Sequence, residues 1–577
     1  FTEDHIPIET IHVGNIPPKV TPEMLKSYFQ IFGPVVSASI NQAGTRYSPY
    51  YYGFVTFAKA SGAAKALSNP HHSIMMKRIK VKPADSWNQP KRHIRWAAKK
   101  IEEPETDNVP TDQMSILHLN DDCLFQIASM LSLSDLLTLS QVCQRFDYIA
   151  NVMFSKCKNL DMMLLENCTL MKIREIMSRV GPHVQKVKCS GVFATIEKKR
   201  FVDFLPKFCS NVRTLEFICM KGIHYAVYRK MFKAFKHLTV LNLQDCCVAD
   251  DVCAALFHCE NLENLNMSEN YEITGRNLDK LLKLKILNLK FCLNLQPSHF
   301  NALCQTTKLV TLNIERCDRL NKSSMDLLLK HQTSLENISI SNGYQTRDLC
   351  PIAKLKSLKS LEIRCHNELD DKFFEELAAH RSTSLERLEI TRTILNPRRK
   401  QALWNLENLK ELCIPRTEEI DDSFISRMAV RAPLTYFCCA GCRTVSEESI
   451  LSLIRKSRTI EIIDISSCNL FYDDWVLKVI DVLKETNRTK PLTLIVGNTG
   501  IEECIIRDPK VMEYSHLIDL RFEFTNLFFD FEEDDEYTMY EGSGDSDEFD
   551  SFDSEFPDDD DLDSELDFYA VLCMGFA

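Results

Sequence analysis

Three residues with flat rings, His12, Tyr52 and Phe54, fall on two stretches with strand-like alternation, TIHVGNI (10–16) and YYGFVTF (51–57). Side chains two apart on a strand share a face, so the three rings are expected together on one side of a sheet. Such rings suit stacking on unpaired bases, each worth roughly 1–3 kcal/mol; a protein partner is the other occupant they fit. Lys80 and Lys82 alternate in the same way along RIKVKPA (78–84) and offer cations to phosphate. A further basic run, KRHIRWAAKK (91–100), follows directly.

Covalent chemistry has no comparable footing. There is no glycine-rich phosphate loop and no nucleophile elbow, and the 577 residues hold only 16 glycines. Cys439 and Cys442 form a lone C-x-x-C pair, and a zinc site needs a second pair at ligand spacing. No metal, cofactor or catalytic residue is expected. The 23 cysteines are scattered along a long chain, which suits a reducing, intracellular setting, nucleus or cytoplasm or both, better than a disulfide scaffold. No apolar run reaches the roughly 18 residues of a membrane span, so no membrane partner is expected. The chain begins at Phe1 rather than Met, which leaves an upstream targeting signal open.

The net charge of −12 is unevenly spread. Residues 1–100 carry +9 and residues 530–567 carry −20, leaving a body near neutrality. Three regions with separate roles are the natural reading.

In the basic head, TIHVGNI, VVSASI, YYGFVTF and RIKVKPA read as strands, and TPEMLKSYFQIFG and KASGAAKALSN as helices. The order β-α-β-β-α-β is the split βαβ arrangement, with two helices on one face of a sheet. Ile11, Val13, Val55 and Phe57 are then expected against the helices, leaving His12, Tyr52, Phe54, Lys80 and Lys82 on the bare face. IHVGNI and YYYGFVTF, within residues 8–86, resemble the hexamer and octamer of the RNA-recognition-motif family, whose three ring positions stack bases. The octamer has Tyr50 and Tyr51 where that family carries a cation and glycine, and His12 stands where Phe or Tyr is usual. The resemblance implies single-stranded RNA as a ligand.

Residues 87–113 read as a linker, basic and then acidic with two prolines. Helical patterning is dense across 114–155. Asp121 or Asp122 is expected to cap a first helix, with Leu124, Ile127, Ala128 and Leu131 on one face, and Ser134 a second. So few residues cannot bury so much apolar surface alone. Leu119, Leu124, Ile127, Leu131, Leu136 and VCQRF (142–146) fall in the order of an F-box, which this segment resembles, with Asn120 at the usual proline. The resemblance implies docking of the Skp adaptor of a cullin ubiquitin ligase core, through Leu119, Leu124, Ile127, Leu131, Leu136, Val142 and Cys143. A helical hairpin packed within the chain is the alternative that periodicity leaves open.

Residues 156–527 repeat the unit Leu-x-x-Leu-x-Leu, often followed by Cys or Asn. Fifteen starts, at 157, 184, 212, 238, 262, 284, 309, 335, 358, 385, 409, 434, 460, 491 and 517, step by about 26 residues, within the leucine-rich-repeat range. Each unit is expected to form a short parallel strand and a return helix such as DDKFFEELAAH (370–380), with its terminal cysteine buried at the turn. Third and fifth strand positions then face the concave side. The fifth positions run Asn242, Asn266, Asn288, Asn313, Ser339, Glu362 and Glu389, either a strip for a polar or basic substrate or ordinary solvent-facing residues. Together with the F-box-like segment, this array resembles F-box leucine-rich-repeat proteins of the cysteine-containing type.

Residues 528–577 are too acidic to fold on their own and read as a disordered tail. The expected whole is multidomain α/β: a split βαβ head, a short all-α F-box, a repeat solenoid and the tail. Its expected function is a non-catalytic substrate receptor of a Skp–cullin–F-box ligase that also binds RNA or an RNA-associated partner. The alternative is an RNA-binding scaffold with a protein-binding solenoid and no part in ubiquitination.

Overall fold

A computed structural model describes residues 1–2, 6–45, 48–75, 77–84, 88–90, 116–191, 198–342, 348–365, 369–486, 488 and 490–523. The basic run 91–100, most of the linker and the acidic tail lie outside the described residues. Two compact units divide at Leu238/Thr239.

The first unit opens with β1 (Thr10–Ile16), α1 (Pro22–Phe29), β2 (Val35–Thr45), β3 (Ser48–Phe57), α2 (Ala60–Ser68), β4 (His72–Ile74) and β5 (Lys77–Pro83). The antiparallel sheet has the order β2-β3-β1-β5-β4. α1 starts where Thr21 Oγ1 accepts the Met24 N–H at 3.3 Å, with Pro22 in the first turn, whose amide would be unpaired in any case. Ile11, Val13, Val55 and Phe57 pack with Leu25, Phe29, Ala63 and Ala66 in one core, as alternation required. β4 is an addition to the expected order. It is anchored by His72, whose ring nitrogens lie 2.8 Å from the Ala66 carbonyl and 3.2 Å from the Tyr28 hydroxyl. Gly53 lets β3 run close to β2, since a Cβ there would sit 2.1 Å from the Ser39 carbonyl oxygen.

Three helices follow a 3₁₀ turn at Ile116–His118: α3 (Asp121–Ser129), α4 (Leu133–Ser140) and α5 (Gln144–Lys156). Their caps fall earlier than expected. Asn120 Oδ1 accepts the Cys123 N–H at 3.0 Å, and Ser132 Oγ accepts the Asp135 N–H at 3.1 Å, in place of Asp121 or Asp122 and Ser134. A cap must hold extended backbone, which Asn120 and Ser132 do, whereas Asp121, Asp122 and Ser134 are already helical.

The repeats begin in the first unit with β6 (Asn159–Asp161), β7 (Lys186–Ser190) and β8 (Thr214–Ile218). The second unit continues with β9 (Val240–Asn242), β10 (Asn264–Asn266), β11 (Ile286–Asn288), β12 (Thr311–Ile314), β13 (Asn337–Asn342) and β14 (Ser360–Cys365). It ends with β15 (Arg387–Ile390), β16 (Glu411–Cys413), β17 (Tyr436–Cys438), β18 (Ile462–Asp464), β19 (Leu492–Ile495) and β20 (Ile518–Arg521). Every strand starts one or two residues after an expected unit start. β9 to β20 pair in parallel and in register, so Leu241, Leu265, Leu287 and Leu312 line up inside. Not every return is a full helix: those at Leu278–Lys280 and Ile352–Lys354 are single 3₁₀ turns.

The turn after each strand carries the stacking. A residue three beyond the fifth position adopts left-handed φ in repeat after repeat, as at Asp245 (49°), Glu269 (62°), Phe291 (59°) and Arg416 (52°). That conformation costs a non-glycine residue on the order of 1 kcal/mol. It aims the backbone N–H into the next repeat: Glu269 donates to Lys290 O at 2.8 Å, and Phe291 to Glu315 O at 2.9 Å. The next residue points backwards. The thiols of Cys292, Cys317, Cys442 and Cys468 donate to the carbonyls of Met267, Leu289, Ile414 and Cys439 at 3.1–3.3 Å. Asn270 fills the same slot and donates to Leu243 O at 2.8 Å. On the surface before the strands, Glu263–Lys285, Glu336–Lys359 and Glu386–Lys410 repeat an inter-repeat ion pair at 2.8–2.9 Å, each worth little in solvent.

The buried cysteines at these turns are therefore packing donors. Cys292, Cys304, Cys317, Cys442 and Cys468 are thiols outside any disulfide, and among the described residues no cluster of three or more His, Cys, Asp or Glu could hold a metal. Burial pushes the thiols of Cys292 and Cys304 up to about 12 and that of Cys317 well above its ordinary 9.0. Cys317→Ala removes the donor to the Leu289 carbonyl and is expected to cost about 1–3 kcal/mol in urea unfolding. The raised thiols also set an alkaline limit. Unfolded thiols ionise near 9.0 while the folded ones resist, so stability is intact below about pH 9 and falls as pH rises toward 12, which thermal melts across that range would register.

Candidate binding surfaces

Register across the head sheet assembles its bare face. Lys82 lies opposite His12, His12 opposite Phe54, and Phe54 opposite Ser39. Lys80 faces Gly14, and Tyr52 faces Asn41. The rings converge: His12 stacks on Tyr52 with centroids 5.7 Å apart and 19° between planes, while Phe54 meets His12 edge-on at 5.4 Å. Lys80 and Lys82 are exposed, and His12 and Phe54 are half-buried. Tyr52 departs from expectation, being only 5% exposed. Its ring is held between His12 and the edge of Phe54, 6.2 Å away, so the trio is a packed cluster rather than three separate platforms. Tyr51 turns the other way and packs on the domain core.

The three-helix segment divides its apolar residues in two. Leu124, Ala128, Leu136, Leu137, Phe146, Ile149 and Ala150 are buried. Ile116, Leu117, Leu119, Ile127, Met130 and Val142 stand exposed, Ile127 at 41% and Val142 at 47%. Of the seven expected adaptor contacts, Leu119, Ile127 and Val142 are thus open to a partner, and Leu131 and Cys143 are half-buried. Leu124 and Leu136 are interior, because three helices packed together bury the stripe that a lone helix would offer outward.

One residue the pattern passed over organises this surface. Arg145, inside VCQRF, donates to the carbonyls of Leu117 and Leu119 at 2.6 and 2.7 Å and pairs with Asp121 at 2.7 Å. It thereby holds the 116–119 arm, with three of the exposed apolar side chains, against α3 and α5. A cation between two apolar stripes, with an acidic partner at Asp121 in the first turn of α3, was the available signal.

On the repeats, third and fifth positions do lie on the face away from the leucine core, as Val240 and Asn242 on either side of buried Leu241 illustrate. The asparagines are nonetheless committed. The Oδ1 atoms of Asn242, Asn266, Asn288 and Asn313 each accept the N–H two residues on, at 3.0 Å, closing the turn described above. Asn is favoured there because its short amide mimics a backbone turn. The glutamates are occupied too. Arg364 pairs with Glu315 (3.3 Å), Glu362 (3.5 Å) and Glu389 (3.8 Å), and Arg387 with Glu389 (3.0 Å) and Glu411 (2.7 Å). Burial, with Glu362 adding to it, pushes the Glu315 carboxyl up against the pull of Lys290 and Arg364. The strip is a self-neutralised network rather than a free acidic surface.

Comparison with known proteins places two modules on this geometry. The RNA recognition motif model matches residues 11–80, and the F-box domain model matches residues 116–151. The heterogeneous nuclear ribonucleoprotein 1 of Arabidopsis thaliana is 32% identical over 74 residues, 13% of this chain and 18% of that protein. A putative RNA-binding protein of Caenorhabditis elegans is 18% identical over 372 residues, 60% of this chain and 50% of its own length. An uncharacterized RNA-binding protein of Schizosaccharomyces pombe is 35% identical over 77 residues, covering 13% and 66%. The chain thus spans less than two thirds of each of these relatives. Among solved structures, a chain of the yeast Rad7–Elc1 complex aligns over 70% of this chain and 94% of its own, at 13% identity and a TM-score of 0.37. The third RNA-recognition domain of Mip6 aligns over 13% and 94%, at 28% identity and a TM-score of 0.12.

Arg145→Ala should free the 116–119 arm while leaving α3 to α5 folded. Amide hydrogen exchange at Leu117–Leu119 is expected to accelerate roughly tenfold or more, with the α5 core amides unchanged.

Proposed function

We propose that this chain, which carries an RNA recognition motif and an F-box ahead of a leucine-rich-repeat-like array, is the non-catalytic substrate-recognition subunit of a Skp–cullin–F-box ubiquitin ligase. The observation that carries this reading is the division of apolar residues in the F-box. Its helices have an interior of their own and still leave Ile116, Leu117, Leu119, Ile127, Met130 and Val142 exposed. Several large apolar side chains left exposed on a short segment that already has an interior fit an interaction site. In this reading the Skp adaptor covers that set, and the repeats hold a protein substrate. Transfer of ubiquitin is then proximity supplied by the other subunits. The work is intracellular, in keeping with the free cysteines.

The head binds single-stranded RNA, or a partner that carries it. Phe54 and His12 supply ring faces and edges, and Lys80 and Lys82 flank them with charge. The buried Tyr52 acts as the support on which His12 rests. The RNA recognition motif match over residues 11–80, and similarity of the chain to proteins named as RNA-binding, support this assignment. The same observation supports the second reading, an RNA-binding scaffold outside ubiquitination.

Recovery of the Skp adaptor with the full chain separates the two. The adaptor should co-purify with the native chain and be lost from an Ile127→Asp, Val142→Asp variant, whose substituted positions are already solvent-exposed; no recovery from the native chain would favour the scaffold. For the head, His12→Ala with Phe54→Ala should weaken binding of single-stranded RNA by roughly 25-fold or more. Lys80→Gln with Lys82→Gln should instead flatten its salt dependence. RNA affinity untouched by both pairs would move the ligand of this face from RNA to protein.

A further inference from the structure

At the edge where the repeat strands begin, the residues just ahead of the strands form a ladder. The N–H of one rung donates to the carbonyl of the rung before it, as from Lys285 to Glu263, Lys359 to Glu336 and Lys410 to Glu386, each at 2.8 Å. Glutamate and lysine side chains pair across those rungs as well, at 2.8–2.9 Å. The first three rungs are Lys158, Gln185 and Arg213, joined in the same way at 2.8 and 2.7 Å. Gln185 thus stands between two cations, on a rung type that holds glutamate in later repeats, and its amide carries no charge to set against them. Beside these rungs lies a cavity of about 300 Å³, to which His183, Asn211 and His237 also contribute. Asn211 Nδ2 donates to the Pro182 carbonyl at 2.7 Å and ties the rim of one repeat to the next. Lys158, Arg213 and His237 are exposed and His183 is half-buried, so the cavity is open to solvent. Among the described residues that line it, none is acidic.

We propose that this cavity is a binding site for a phosphate monoester, held between Lys158 and Arg213 with His183 and His237 as further donors. Adjacent rungs are about 4.8 Å apart, so the two cations start roughly 10 Å from each other and their long side chains can close on a tetrahedral anion between them. A guanidinium offers two parallel N–H bonds to phosphate oxygens, and an ammonium adds a point charge. A histidine ring donates an N–H in either protonation state, and the amides of Gln185 and Asn211 supply uncharged donors. A monoester matches this set because three free oxygens share nearly two negative charges. A phosphodiester has only two free oxygens and a chain leaving on both sides, which calls for a groove rather than a cavity of this size. The phosphate is carried by a protein side chain or by a small molecule. The assignment does not depend on the ligase reading.

Calorimetric titration of the full-length chain with inorganic phosphate tests the site, with Gln185→Glu as the decisive variant. That change puts a carboxylate on a rung type that already holds glutamate elsewhere, so thermal melting should be unchanged while the anion is repelled. Phosphate should bind the native chain, and Gln185→Glu should weaken it roughly tenfold or more. Lys158→Gln, at an exposed position, should also weaken it, and decides instead should Gln185→Glu melt early. The head is unaltered in both variants, so phosphate held by Lys80 and Lys82 cancels from the comparison. Absence of phosphate binding to the native chain, or equal binding by native and variant chains, overturns the proposal. Dimethyl phosphate binding as tightly as inorganic phosphate overturns it too, in favour of a nucleic-acid backbone. A phosphoserine peptide that binds more tightly than inorganic phosphate, and loses that advantage when dephosphorylated, identifies a protein side chain as the source. A peptide no tighter than inorganic phosphate identifies a small phosphate compound.

Discussion

The hydrogen bonds that leave each repeat at its post-strand turn are the constraint on which the array depends. A single unit of about 26 residues cannot bury its leucines, so its stability is the stability of its contact with neighbours. The left-handed residue sends its N–H forward, and the cysteine or asparagine after it donates backwards. Each turn is thus tied in both directions. The asparagine at the fifth position preorganises that turn from within, which is why it recurs. The cost of left-handed backbone at residues such as Glu269 and Phe291 is offset by bonds that no isolated repeat could make.

The F-box and the head solve a different problem, that of showing side chains outward without losing a core. In the F-box, Leu124, Leu136 and Ile149 are buried while a second apolar set is exposed at the surface, and Arg145 keeps part of it ordered by claiming the carbonyls of the arm. In the head, two helices cover one side of the sheet and alternation delivers rings and lysines to the other. There the rings pack on one another, so the surface is a firm cluster flanked by charge. Both are surfaces held by interactions behind them, so their side chains are ordered before any partner arrives.

Much of this organisation was legible along the chain. Alternation in IHVGNI and YYGFVTF separated Ile11, Val13, Val55 and Phe57 from His12 and Phe54, because a strand has only two faces. The leucine spacing located every repeat strand to within two residues, because only a leucine on the inner face can be buried between units. The helix caps were misjudged by one to two residues, as Asn120 and Ser132 compete with nearby Asp and Ser of nearly equal propensity. β4 was invisible because three residues around His72 carry no periodicity, and what holds them are Tyr28 and Ala66, far off in sequence.

What sequence alone determined is therefore the periodic part: which side chains face inward, where each unit begins, and that cysteine follows the strand. Those follow from local geometry and from the spacing of leucines. Tertiary structure alone decided which outward residues are free. Tyr52 is outward yet enclosed, Leu124 is interior to the helical segment, Asn242 spends its oxygen on its own backbone, and Glu389 is neutralised by arginines on its own and the neighbouring strand. The physical reason is common to all four. Direction is a property of a strand or helix, whereas exposure is a property of everything that packs against it.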